Sequence, residues 1–164
     1  MEVKTHPIDA RSLVQGIQVM KQFFDRSTRC LEEADSSFAP KPEMFTVAAQ
    51  VAHVAQTVDW FVEGAFRPQG FSMNFEELDR AARKVSSLTE ARSWLDRSVA
   101  NAVATIRSKS AEVLAEPLPE GPVMGGMPRY EIVEAMADHT AHHRGALTVY
   151  ARMRGRTPSM PYMD

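Results

Sequence analysis

Two histidines four residues apart occupy positions where a core-facing helix keeps its apolar side chains. The stretch Ile132–Tyr150 reads IVEAMADHTAHHRGALTVY and holds three of the chain's five histidines. Residues three and four apart are neighbours on a helix, so Ile132, Met136, His139, His143, Leu147 and Tyr150 form one stripe. His139 and His143 then lie one above the other, facing inward. Imidazoles in such a place need hydrogen bonds or a metal ion.

The rest of the chain supplies helices for that stripe to pack against. Asp9 is a good N-cap, and Leu13, Ile17, Met20, Phe24 and Leu31 keep helical spacing, which predicts a first helix from Asp9 to about Ala34. Asp35–Pro42 is turn chemistry. A second helix is expected from Pro42 to Phe66, its apolar face set by Val47, Val51, Val54, Val58 and Phe61. Its opposite face carries Gln50, His53, Thr57 and Trp60, a semi-polar surface with an aromatic wall that suits a pocket. Asn74-x-x-Glu77 and Ser87-x-x-Glu90 have capping-box spacing. They predict a short helix to about Lys84 and a third long helix from Leu88 to about Leu114. Glu116–Pro128 holds four prolines and three glycines, so no helix passes through it; it is a flexible loop or a lid. The fourth helix runs from Pro128 to near Gly155, a natural C′ glycine. The Pro- and Met-rich tail after it can dock on the bundle or on a partner chain.

Four long amphipathic segments without a credible strand give an all-α four-helix bundle. The 164 residues suggest one domain, 1–164, large enough to fold without disulfides or structural metal. Net charge is −2 and basic residues are scattered, which argues against a nucleic-acid surface. The run Val47–Phe66 is broken by Gln50, His53, Asp59 and Glu63, too polar to span a bilayer. The N-terminus lacks the apolar stretch of a signal peptide, and the lone Cys30 fits a reducing cytoplasm.

The i, i+4 spacing brings two imidazole nitrogens to one metal, but two buried histidines bonded to backbone or carboxylates have the same spacing. Position 140 is Thr140, so this is not the His-Glu-x-x-His of zinc peptidases. The Glu-x-x-His pairs of di-iron bundles are also missing. A catalytic site wants about three protein ligands and an open position. His53, in the middle of the second helix, is the natural third ligand. Its alternative role is a core histidine paired with Gln or Asp. His142 falls toward the edge of the stripe and reads as a surface residue or a support for the ligands. His6, before Pro7, is not expected to ligate. Asp59, Glu63 or Asp138 are candidates to orient an imidazole. Trp60, Gln50, Thr57 and Tyr150 are candidates to line a pocket. Cys30 reads as core filling, Arg144 as an ion-pair or interface residue, and Gly145 as a point of close helix approach.

His139-x-x-x-His143-Arg144-Gly145 near the chain end, the lone histidine within QVAHVAQTVDWF, and the Gly155…Pro158…Pro161 tail resemble the DinB/YfiT-like superfamily. The resemblance covers essentially the whole chain. It implies an up-down-down-up four-helix bundle and one divalent ion (Zn, Ni, Fe or Mn) on His53, His139 and His143, often in a homodimer. It further implies a metal-dependent transferase joining a low-molecular-weight thiol, such as bacillithiol, mycothiol or glutathione, to a small electrophile, or a related hydrolase. The alternative it leaves is a non-enzymatic, dimeric metal- or small-molecule-binding bundle with a stress-related role. An imidazole site should release its ion below about pH 6, where ordinary histidines protonate.

Overall fold

Short polar side chains start most of the helices. In the computed structural model, which describes residues 9–163, Asp9 accepts from the Arg11 N–H and opens α1 (Ala10–Thr28). Thr46 accepts from Ala49 and opens α2 (Val47–Phe66). Asn74 and Ser87 do the same for α3 (Phe75–Arg83) and α4 (Leu88–Arg107), each through the N–H three residues on. Ser110 opens the short α5 (Ala111–Ala115). A 3₁₀ turn at Arg129–Glu131 leads into α6 (Ile132–Met153). Gly155 ends that helix at φ +73°, a left-handed value that favours glycine. His6 and the N-terminal leader question fall outside the described residues.

Several boundaries differ from the sequence expectation, for local reasons. α1 stops at Thr28 and not near Ala34. The Thr28 hydroxyl donates to the Phe24 carbonyl, and Arg92 donates to the Thr28 carbonyl, so terminal acceptors are already satisfied. α2 begins at Val47 and not at Pro42, because the Thr46 cap sets its first turn. The third long helix ends at Arg107, and Ser110 restarts a single extra turn before Leu114.

The segment after α1 became the meeting point of the bundle. Asp35, fully buried, accepts from the Glu32 N–H at 2.9 Å and from Arg154 at 3.1 Å, and Arg156 Nε lies 2.6 Å from its other oxygen. Ser36 accepts from the Leu88 N–H at the start of α4, and its carbonyl accepts from Ala48 at the start of α2. One turn therefore touches the end of α1, the starts of α2 and α4, and the chain just after α6. That requires α2 and α4 to run parallel to each other and antiparallel to α1 and α6, an up-down-down-up bundle. The core between them is built from Ile17, Phe24, Leu95, Ile106, Met136 and Leu147, all essentially inaccessible. Burying such side chains is the main stabilising term.

The Pro/Gly segment is tied down. Leu118 is buried, and its N–H donates to the Met127 carbonyl at 2.7 Å, while the Arg129 N–H donates to Glu116. The tail docks on α1: Arg26 donates to the Pro161 carbonyl, and Tyr162 packs edge-on against Phe23. Among the described residues, no helix is long and apolar enough to cross a membrane.

Burial opposes ionisation of Asp35, but the Glu32 N–H and the two arginines outweigh it and hold the carboxyl below its ordinary value of 3.8. Its contribution to stability is therefore full above pH 3.8 and fades as the pH falls through the lower folded-state value. Asp35→Ala should cost about 3 kcal/mol at pH 7, because it strands Arg154 and Arg156 and removes the acceptor of the Glu32 N–H. Urea unfolding checks this; a loss under about 0.5 kcal/mol, the range of ordinary surface substitutions, would contradict the hub role.

Candidate metal centre

α2 and α6 bring the three sequence-selected histidines together. Ligand-capable atoms of His53, His139 and His143 all lie within 4.8 Å of one another. The Nε2 atoms of His139 and His143 are 3.2 Å apart, as the one-turn spacing on α6 dictates. Across the seam, the His53 ring centroid is 5.1 Å from that of His139 and 4.8 Å from that of His143. Phe45 stacks on His53 at 5.1 Å and closes its outer side.

Burial, first, and then the neighbouring imidazoles push His139 down to about 4 and His143 down to about 3. Burial also lowers His53, although Asp79 opposes it. All three are neutral at pH 7 and present lone pairs. The Nδ1 atom of His53 is buried with no hydrogen-bond partner. Three neutral imidazoles whose ligand-capable nitrogens lie this close, one ring keeping a buried nitrogen without a partner, suit a divalent ion with an open coordination position.

His143 has a positioning partner on α2. Its Nδ1 lies 3.2 Å from the Gln50 amide nitrogen, and Gln50 is buried. With that nitrogen donating, the ring hydrogen sits on Nε2. Turning the amide so that its oxygen accepts from Nδ1–H frees the Nε2 lone pair for a metal. None of the expected orienting carboxylates takes this place. Asp59 accepts from the Trp94 indole at 2.8 Å, Glu63 pairs with Arg67, and Asp138 is an exposed residue that only modestly opposes the lowering at His139.

A cavity of about 360 Å³ adjoins His53 and His139. Trp60 and Thr57 line it, as the semi-polar face of the second helix suggested. Tyr150 does not; it is buried against Phe38. Phe45, Phe75 and Leu78 also line the cavity and were not legible, because the long segments joining the helices fold them back onto α2. Gly64 makes this possible: a Cβ there would stand 2.2 Å from the Phe71 ring, which packs on Trp60 at 4.8 Å. On the other side of His139, an open groove of about 690 Å³ runs past Met124, Asp138 and His142, so part of the Pro/Gly segment does border the site. His142 is exposed, edge-on to His143. Arg144 sits over Phe23. Gly145 does not mark a close helix approach, since a Cβ there would meet nothing within 4 Å. Cys30 packs against the core.

The fold and the match of residues 19–147 to the DinB superfamily profile place the chain in that superfamily. Among solved structures it is similar to the mycothiol-dependent maleylpyruvate isomerase. The TM-score is 0.71 to a histidine-to-alanine mutant form and 0.65 to the unmutated protein, at 14% identity in both. Both superpositions cover 89% of this chain and 63% of the other, so the chain spans less than two thirds of the isomerase. No curated protein matches its sequence.

The lowered histidines fix a pH response. Below 6.5 the unfolded chain takes up protons that folded His139 refuses until about pH 4, so ion-free stability should fall across that window. Proton competition for an ion also moves below the pH 6 expected of ordinary histidines. Urea midpoints of ion-free protein should be lower at pH 5 than at pH 7, and His143→Leu should narrow the difference. Equal midpoints for the native protein would contradict buried neutral imidazoles.

Proposed function

We propose that this protein is a metal-dependent transferase that joins a low-molecular-weight thiol to a small electrophile, with His53, His139 and His143 as the metal ligands. The observation that carries the reading is the convergence of three neutral imidazoles beside a cavity, with no carboxylate among them. A divalent ion held there lowers the pKa of a thiol or water at its open position. The chain's own residues do the rest. Gln50 holds the His143 ring, Phe45 walls off His53, and Trp60 and Phe61 separate the cavity from the open groove beyond His139.

The thiol-dependent activity named for the structural relative supports the thiol as co-substrate, and the open groove beside His139 has room for one. A homodimer belongs to the same proposal. The exposed Val149 and Met153 on α6 are apolar residues that pairing would cover.

His143→Ala should lose bound metal at least tenfold in affinity, the scale of a disturbed coordination shell, yet keep its helical circular dichroism. Unfolding of that variant would make the site structural. The function itself is tested by offering bacillithiol, mycothiol and glutathione with a generic electrophile to metal-loaded protein. Turnover with one of them, abolished by His143→Ala, is expected. Silence with all three would contradict the transferase and leave a metal- or small-molecule-binding bundle.

A further inference from the structure

The four-residue step that pairs His139 with His143 repeats one position further on. Thr140 and Arg144 stand one turn apart on the neighbouring stripe of α6, the stripe that faces α1. They border a cavity of about 270 Å³ between the two helices. Val19, Met20 and Phe23 of α1 and Ala137 and Ala141 of α6 make its walls, and Tyr162 of the docked tail completes them. Tyr162 meets Phe23 edge-on, with ring centroids 5.1 Å apart.

Two polar groups on this lining have no hydrogen-bond or ion-pair partner among the described residues. Thr140 is only 2% exposed, and its buried Oγ1 is bonded to nothing. A hydroxyl in that state is costly in the free protein, and a guest that supplies an acceptor removes the cost. Arg144 makes no ion pair; its guanidinium lies 5.8 Å from the Phe23 ring centroid. Arg144 and Tyr162 also border a second hollow of about 410 Å³ under the tail, where Arg152 and Ser159 join them. No Asp or Glu is among the described lining residues of either space. The rim is therefore cationic, and the inner wall is apolar but for one hydroxyl.

An apolar cavity of about 150 Å³ holds one benzene ring, so the 270 Å³ here has room for one ring and a short polar group. A carboxylate is the polar group that suits both residues. The guanidinium donates charge-assisted bonds to it, and the hydroxyl donates one more. We propose that the Thr140–Arg144 cavity is a second ligand site that binds a small aromatic monocarboxylate, the ring between α1 and Tyr162 and the carboxylate on Thr140 and Arg144. The site is separate from the histidine cluster, whose α6 members occupy the other stripe, and it does not depend on a bound metal.

The test is titration of ion-free and metal-loaded protein with benzoate and with benzyl alcohol, two single-ring probes that differ in charge, followed by backbone amide shifts in NMR. Benzoate should move the Phe23 and Tyr162 signals in both preparations. It should bind at least about tenfold more tightly than benzyl alcohol, the scale of a hydrogen bond to a charged group. Arg144→Gln should remove that preference. Thr140→Val should weaken benzoate at least about threefold and leave the urea midpoint equal or higher, because the hydroxyl satisfies nothing in the free protein. Tyr162→Ala, at an exposed tail position, should weaken benzoate about fivefold, as expected for losing an aromatic contact. Benzoate that binds no better than benzyl alcohol, or that binds native protein and Thr140→Val alike, would overturn the proposal. Shifts that centre on His53 and vanish without the ion would also overturn it, placing the carboxylate at the metal centre and leaving the metal reading intact. Benzoate bound beside Phe23 by protein that takes up no metal would keep this site and remove the metal reading.

Discussion

Three imidazoles share one small volume on the seam between α2 and α6, and they can do so only while uncharged. Burial penalises each proton, and each neighbouring ring adds to the penalty. Apolar residues would fill the same seam with less conflict, so the histidines stand there against the grain of core packing. The cost shapes what surrounds them. Gln50 occupies the second nitrogen of His143, Phe45 covers His53, and α2 carries a mixed face toward the cavity where its other face is mostly valine and alanine. Lone pairs held neutral and converging are the state in which a histidine cluster can take a divalent ion.

The cluster depends on α2 and α6 meeting in the right register, and the buried Asp35 turn controls both. It receives the first N–H groups of α2 through Ser36 and Phe38 and grips the chain after α6 through Arg154 and Arg156. Sliding either helix by one residue would carry a histidine off the seam, since side chains a single residue apart point about 100° away from each other. The carboxylate at the end of the bundle where α2 starts is thus part of how the site is assembled, although it touches none of the histidines.

The repeat of apolar residues made the helices legible, and the i, i+4 pair on α6 made two thirds of the cluster legible. His53 was legible because a lone imidazole on a semi-polar face has few other uses. What the sequence did not reveal was settled over long range. Nothing near Asp35 marks it as a residue that arginines 119 and 121 positions away will enclose. Nothing near Thr28 shows that Arg92 will take its carbonyl and end the helix early. Phe75 and Leu78 sit in a polar-looking capped helix, and only the fold returns them to α2. Asp59 shows the converse: helical position made it look like an orienting carboxylate, and an indole from α4 claimed it instead.

Membership of the DinB superfamily and the fold shared with a thiol-dependent isomerase give the arrangement a context, and at 14% identity they leave the chemistry to this chain's own residues. The central claim is that the three histidines hold a metal ion. Elemental analysis of untagged protein purified without chelators tests it most directly. The account predicts close to one Zn, Ni, Fe or Mn per chain, and protein carrying none of them would contradict it.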